Sequence, residues 1–275
     1  MEVENIKPSI GAIVRVDRSA LCDKDVAQRC LELLEQRGVL VFPRIGLTDA
    51  EQLAFTDSLG ARVNFTKSVA GGDRDTEDVY TITLDPKVNT EPEYVLGTYF
   101  WHMDGITSDI PPPKASILTA RRTAPKGGQT EFASTYAAYE ALPEDDKAEL
   151  EGVRVIHSVE AAVREVAAPE TLDPVKRRNV HEHPLVWTHK SGRKSLLIGY
   201  TADRVVGRSQ AEGRALLARL LEWTAQPAFT YRHQWQEGDL VVWDNCGALH
   251  RVIPYAVDSG RMMHRTSVAG VEKVA

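Results

Sequence analysis

His102, Met103 and Asp104 place two metal-binding side chains two residues apart. In an extended segment such residues project to the same side, so an imidazole and a carboxylate can close on one ion while Met103 points away. Three residues cannot supply a whole ligand set, and a third donor has to arrive from elsewhere. His250 is the candidate: it follows Gly238-Asp239-Leu240-Val241-Val242-Trp243-Asp244-Asn245, a β-rich apolar run ending in turn formers that would deliver it from the end of a strand. Two imidazoles and one carboxylate on one face of an ion, with the opposite face open, are the donors of a non-haem Fe(II) site.

Arg261 and Arg265 come next. On a strand they share a face with Met263, while Met262, His264 and Thr266 take the other. Guanidinium groups turned into a protein interior are costly unless anions meet them there. The planar fork of arginine suits a carboxylate, to which it donates two parallel hydrogen bonds. A metal trio followed by an inward arginine therefore implies a carboxylate-bearing cosubstrate beside the metal.

Together these residues resemble the taurine dioxygenase and 2,4-dichlorophenoxyacetate dioxygenase (TauD/TfdA-like) family of Fe(II)/2-oxoglutarate oxygenases. The resemblance is carried by Trp101-His102-Met103-Asp104, Gly127-Gly128-Gln129-Thr130, His183-Pro184-Leu185-Val186 running on to Ser195-Leu196-Leu197-Ile198-Gly199, Trp243-Asp244-Asn245, His250, and Arg261 through Arg265. It implies that His102, Asp104 and His250 bind iron. Arg261, eleven residues after His250, resembles the partner of the distal carboxylate of 2-oxoglutarate, with Thr130 as its hydroxyl partner. Arg265 resembles the family's second arginine, near the iron-bound end of the cosubstrate and the anionic head of the substrate.

The implied cofactors are Fe(II), 2-oxoglutarate and dioxygen, and the implied reaction yields succinate, carbon dioxide and a hydroxylated substrate. Halogenating relatives lack the carboxylate ligand, so Asp104 points to hydroxylation, or to a desaturation or cleavage that starts in the same way. The taurine member grips its sulfonate with a histidine from the N-terminal third; here no histidine precedes His102, and Thr98 stands where that member has asparagine. Taurine is not the expected substrate. Arg265, Thr98 and Tyr99 are the candidate substrate contacts, with Tyr94 and Phe100 beside them as candidate walls. An aryl or alkyl carboxylate fits first; sulfonates, sulfate esters and amino-acid derivatives remain as alternatives. Two other classes compete: a zinc-dependent hydrolase using the same His/Asp/His set, and a non-catalytic barrel that binds a small acid.

The 275 residues suffice for one large domain spanning 1–275, with lid-like excursions near 66–97 and 158–180. A helix is expected from Asp25 to Gly38, then a buried strand Val39-Leu40-Val41-Phe42. Thr48 and Glu51 form a capping box for a helix over 49–59. Helices over 135–140, 143–150 and 210–224, and strands near 115–120, 184–188, 195–199, 229–235, 239–244 and 261–268, complete the reading. Strands scattered among helices without βαβ alternation predict a mainly β (α+β) fold with a double-stranded β-helix, or jelly-roll, core.

The formal net charge of -6 argues against a nucleic-acid partner. Cys22, Cys30 and Cys246 have neither disulfide nor zinc spacing. With no signal-peptide pattern and no long apolar run, the expectation is a cytoplasmic homo-oligomer that touches no membrane and acts on a small anionic molecule. Walker, dinucleotide-binding and serine-elbow motifs are absent from the sequence. His181 and His183, two residues apart, are the one rival metal pair.

Overall fold

Residues 1–63, 79–89, 92–168, 170 and 179–274 are described by the structure, a computed structural model. The chain opens with strands β1 (Glu2–Asn5) and β2 (Ala12–Arg15), helix α1 (Lys24–Arg37), β3 (Val39–Phe42) and α2 (Asp49–Leu59). It continues through β4 (Tyr80–Ile82), α3 (Pro92–Gly97), β5 (Ala115–Arg122), β6 (Thr130–Ser134), α4 (Thr135–Glu140), α5 (Glu144–Leu150), β7 (Arg154–Ser158) and α6 (Val159–Arg164). The last part carries β8 (Val180–Pro184), β9 (Val186–Thr188), β10 (Lys194–Leu196), β11 (Ala202–Val205), α7 (Gln210–Thr224), β12 (Thr230–His233), β13 (Leu240–Asp244), β14 (Ala248–Val252) and β15 (Met262–Val268). The fold is thus mixed, with many strands and fewer helices.

Seven strands form the main sheet in the order β1-β2-β3-β13-β5-β15-β4. Every pairing in it is antiparallel except β2 with β3. Its central strands are apolar on both faces, because both are covered. On one face Leu40, Phe42, Ile117, Leu240 and Val242 pack under Cys30, Leu33 and Leu34 of α1 and Phe55 and Leu59 of α2. On the other face Val41, Leu118, Val241, Trp243 and Met263 pack against Phe132 of β6. That second face meets the three-stranded sheet β12-β6-β14, and the polar residues of interest lie there.

Local signals worked where expected. Gly38 ends α1 at φ 70°, and Thr48 Oγ1 accepts from the Glu51 N–H while Glu51 Oε2 accepts from the Thr48 N–H at 2.7 Å. Val39–Phe42 is a buried strand as expected, and it lies between β2 and β13 inside the main sheet. The 66–97 stretch contains an edge strand, β4 on β15, and a helix; residues 66–78, 90–91, 169 and 171–178 of the two proposed excursions lie outside the described residues. Strands β1, β2, β4, β6, β7, β8, β11 and β14 are not among those the sequence leads one to expect. Among the described residues, no helix is long and apolar enough to cross a membrane.

Candidate active site

His250 sits in the middle of a strand of its own, correcting the expectation that β13 would deliver it. β13 ends at Asp244, the chain turns through Asn245, Cys246 and Gly247, and β14 then runs along β6 with His250 opposite Phe132. His102 docks on the other edge of β14. Its N–H donates to the His250 carbonyl at 3.0 Å, and the His250 N–H donates to the His102 carbonyl at 2.9 Å. Two residues on, Asp104 turns into the same space.

One donor atom from each of His102, Asp104 and His250 lies within 4.8 Å of the others, and all three side chains are buried. His102 Nε2 is 4.0 Å from Asp104 Oδ1, and His250 Nε2 is 3.8 Å from Asp104 Oδ2. His102 Nδ1 lies 2.8 Å from the Phe100 carbonyl, which places the proton there and leaves the Nε2 lone pair facing the carboxylate. Burial pushes both imidazoles below their ordinary pKa. Burial also works to raise Asp104, but the Arg265 guanidinium, the largest opposing influence, and the Ser116 hydrogen bond favour the anion, and the carboxyl stays below its usual range. Two neutral nitrogen donors and one carboxylate, already deprotonated, fit a divalent metal.

Ser116 on β5, which sequence reasoning passed over, donates to Asp104 Oδ2 at 2.9 Å. Its only sequence signal is a hydroxyl inside an apolar strand, on the face shared with Leu118. Gly199 lies behind His102: at φ 121° it approaches so closely that a Cβ would sit 2.7 Å from the Trp101 carbonyl oxygen. Tyr200, also unanticipated, stacks on Phe100 at 6.1 Å and sets its edge against His102 at 5.6 Å.

Beside the trio lies a cavity of about 130 Å³, bordered by Tyr94, Thr98, Ile106, Val163, Tyr200 and Arg265. Arg265 Nη1 is 3.6 Å from Asp104 Oδ1, and its guanidinium lies over Tyr80, 5.0 Å from the ring centre. Thr98 borders the cavity with its hydroxyl donating to the Val95 carbonyl at 2.6 Å. Tyr99 does not join it. Its ring meets Tyr255 edge-on at 6.0 Å, on the side occupied by Arg261.

Arg261 is buried with its guanidinium 4.8 Å from the centre of the Tyr255 ring, and among the described residues no carboxylate pairs with it. Gly128 passes close by; a Cβ there would lie 3.0 Å from Arg261 Cδ and Nε. Two residues further, the buried Thr130 Oγ1 accepts from Trp235 Nε1 at 2.9 Å. His181 and His183 stack on each other at 5.9 Å, and His183 Nε2 bonds the Ile106 carbonyl at 2.9 Å. They gather no carboxylate into a metal group among the described residues. A larger groove of about 980 Å³, lined by Tyr139, Lys147, Arg193 and Lys194, contains none of the candidate residues.

A buried His/Asp/His trio between two sheets, beside an apolar cavity and a buried arginine, defines a metal-dependent enzyme with an anionic cosubstrate. The family model "Taurine catabolism dioxygenase TauD, TfdA family" matches residues 2–267. An alpha-ketoglutarate-dependent 2,4-dichlorophenoxyacetate dioxygenase from Burkholderia sp. (strain RASC) is 38% identical over 86% of this chain and 83% of its own. An alkylsulfatase from Acinetobacter baylyi is 32% identical over 98% of this chain and 85% of its own. The crystal structure of AAD-2 in complex with Mn(II) and N-oxalylglycine superposes with a TM-score of 0.85 at 31% identity, covering 100% of this chain and 99% of that one. The chain belongs to the TauD/TfdA family, and with it to the dioxygenases that use Fe(II), 2-oxoglutarate and dioxygen. That membership supports neither the zinc hydrolase nor the non-catalytic barrel.

Proposed function

We propose that residues 1–275 form one catalytic domain with a double-stranded β-helix core that hydroxylates a small anionic organic acid. His102, Asp104 and His250 are the iron ligands, Thr130 and Arg261 grip 2-oxoglutarate, and Arg265 with Thr98 meets the substrate. One C–H bond, one dioxygen and one 2-oxoglutarate become one C–OH, one succinate and one carbon dioxide.

The observation that carries this reading is the burial of Arg261 without a carboxylate partner among the described residues. A guanidinium so placed is strongly unfavourable unless an anion comes to it, and the distal carboxylate of 2-oxoglutarate is such an anion. Thr130 supports the same role. A hydroxyl has one donor and two lone pairs; Trp235 occupies a lone pair, which leaves the O–H to donate to the cosubstrate.

Bound iron(II) supplies the centre at which the 2-oxo acid and dioxygen react. The chain's own part is placement. Ser116 holds one Asp104 oxygen, and the Phe100 carbonyl orients the His102 ring. Arg265 puts positive charge between the ligands and the cavity, where an acidic head group can dock while Tyr94, Val163 and Tyr200 exclude water around its apolar body.

The dichlorophenoxyacetate activity of the 38% identical relative favours an aryloxy carboxylate. A sulfate ester is the second reading, favoured by the alkylsulfatase and by a sulfate ester dioxygenase of Pseudomonas putida, 30% identical over 98% of this chain. The test is succinate formation by the Fe(II) enzyme with 2-oxoglutarate and 2,4-dichlorophenoxyacetate, a medium-chain alkyl sulfate, or taurine. Stimulation by the aryloxy acid is expected. Stimulation by the alkyl sulfate alone selects the second reading, and no 2-oxoglutarate turnover with any acid overturns both.

A further inference from the structure

Asn245 is fully buried, and its amide is devoted largely to the backbone of one residue. Oδ1 accepts from the Asp104 N–H at 2.9 Å, while Nδ2 donates to the Asp104 carbonyl at 2.8 Å and to the Pro113 carbonyl at 3.3 Å. In an antiparallel ladder that joins His102 and His250 through both backbone groups, the next such pair would be Asp104 with Ala248. Asp104 instead leaves the ladder into a turn. The Asn245 amide then presents it with the donor and acceptor that a neighbouring peptide would have offered.

The turn that holds Asn245 is itself braced. Its N–H donates to the Lys114 carbonyl at 3.1 Å, and Asp244 Oδ1 accepts from the Cys246 N–H at 3.0 Å. Asp244 Oδ2 meets Lys114 Nζ at 2.9 Å, and Lys114 also reaches Glu35 at 2.9 Å. A Cβ on Gly247 would fall 1.8 Å from Tyr136 Cε2, so the turn is packed against that ring. The same turn launches β14, which carries His250. A single rigid turn thus ties the position of Asp104 to that of His250, although their sequence segments are far apart.

We propose that Asn245 is a positioning residue: by holding both backbone groups of Asp104 it aims the carboxylate at the metal. The proposal rests on Asp104 being a ligand. It is testable in the apoprotein as well as in the loaded enzyme, because both bonds join groups of the chain itself.

The experiment compares wild type, Asn245→Ala, Asn245→Ser, Asp104→Ala and Asn245→Ala/Asp104→Ala as full-length apoproteins. Hydrogen exchange reads the peptide containing Asp104, circular dichroism and melting read the fold, and Mn(II) titration followed by electron paramagnetic resonance reads the dissociation constant. The Asn245 variants are expected to speed exchange at Asp104 and to weaken Mn(II) by about 10- to 100-fold. In the Asp104→Ala background, Asn245→Ala should add no further loss. Unchanged exchange, a dissociation constant within about twofold of wild type, or equal losses in both backgrounds overturns the proposal, since a merely structural residue would lower melting in either background. If Asn245→Ala does not fold, Asn245→Ser decides by the same readings; if neither folds, the role is structural and the proposal falls. An unchanged dissociation constant for Asp104→Ala overturns the ligand assignment itself, a result distinct from the others.

Discussion

His102 and His250 are joined by their backbones in both directions, at 3.0 and 2.9 Å, independently of their side chains. The pairing brings the two imidazoles to 4.0 Å between ring centres. Backbone pairing therefore sets the two nitrogen donors side by side. His250→Ala should keep the native circular dichroism spectrum while succinate formation drops to background. Retained turnover would remove His250 from the ligand set.

If Arg261 grips 2-oxoglutarate as proposed, Arg261→Ala should raise the 2-oxoglutarate requirement about 100-fold or more, the cost of deleting one partner of a buried charge pair, while metal binding stays intact. Thr130→Val should have a smaller effect, about tenfold, as expected for one hydrogen bond to a charged group. Initial rates against 2-oxoglutarate concentration test both. An unchanged requirement in Arg261→Ala would exclude its assigned role.

Glu131 on β6 stands between Arg232 of β12 and Arg251 of β14, with contacts of 2.6 Å to each. Burial works to raise its pKa, but the two arginine hydrogen bonds outweigh it and hold the carboxyl below its ordinary value. A carboxyl lowered by folding contributes stability above its unfolded pKa of about 4.3 and loses that contribution as pH falls through the folded value. Glu131→Gln should cost about 1–3 kcal/mol at neutral pH, and its deficit should shrink toward zero as the medium is acidified below pH about 4. Urea unfolding across pH measures this; a deficit independent of pH would contradict it.

Lys114 meets the fully buried carboxylate of Asp244. Burial alone would push the Lys114 pKa down, yet Asp244 and Glu35 hold it above its ordinary value, so the ammonium stays charged. Lys114→Met should destabilise by about 3–5 kcal/mol because Asp244 is left uncompensated. Adding Asp244→Asn should restore much of that loss, as an amide can still accept from the Cys246 N–H. Equal midpoints for the single and double variants in urea would show that the charge pair does not brace the turn.

Gly199→Ala should lower both melting temperature and activity. The residue is at φ 121°, and its added methyl would press on the Trp101 carbonyl next to His102. Succinate assays and thermal melting of the variant check the two effects together; normal values for both would mean that this segment can shift without disturbing His102.

The sequence by itself disclosed residues whose signal is local. Thr48 with Glu51, Gly38 after its amphipathic helix, and the apolar runs of β3, β5 and β13 follow from helix termination and from burial on two faces. The two-residue spacing of His102 and Asp104 is local as well. β6 and β14 escaped because Thr130, Glu131, His250 and Arg251 interrupt any apolar alternation; their polar groups are satisfied by cross-strand partners and by the site, which no short window of sequence displays.

What only the tertiary structure decided is how distant segments meet. Residue types and order singled out His102, Asp104, His250 and Arg261 as candidates, since donor chemistry belongs to each side chain wherever it lies. Ser116 on the Asp104 carboxylate, Asn245 on its backbone, Tyr200 against His102, and Tyr99 turned toward Tyr255 depend on strand register and turn geometry. Those contacts join residues far apart in the chain, and a one-residue shift of register would turn each strand's side chains to the opposite face.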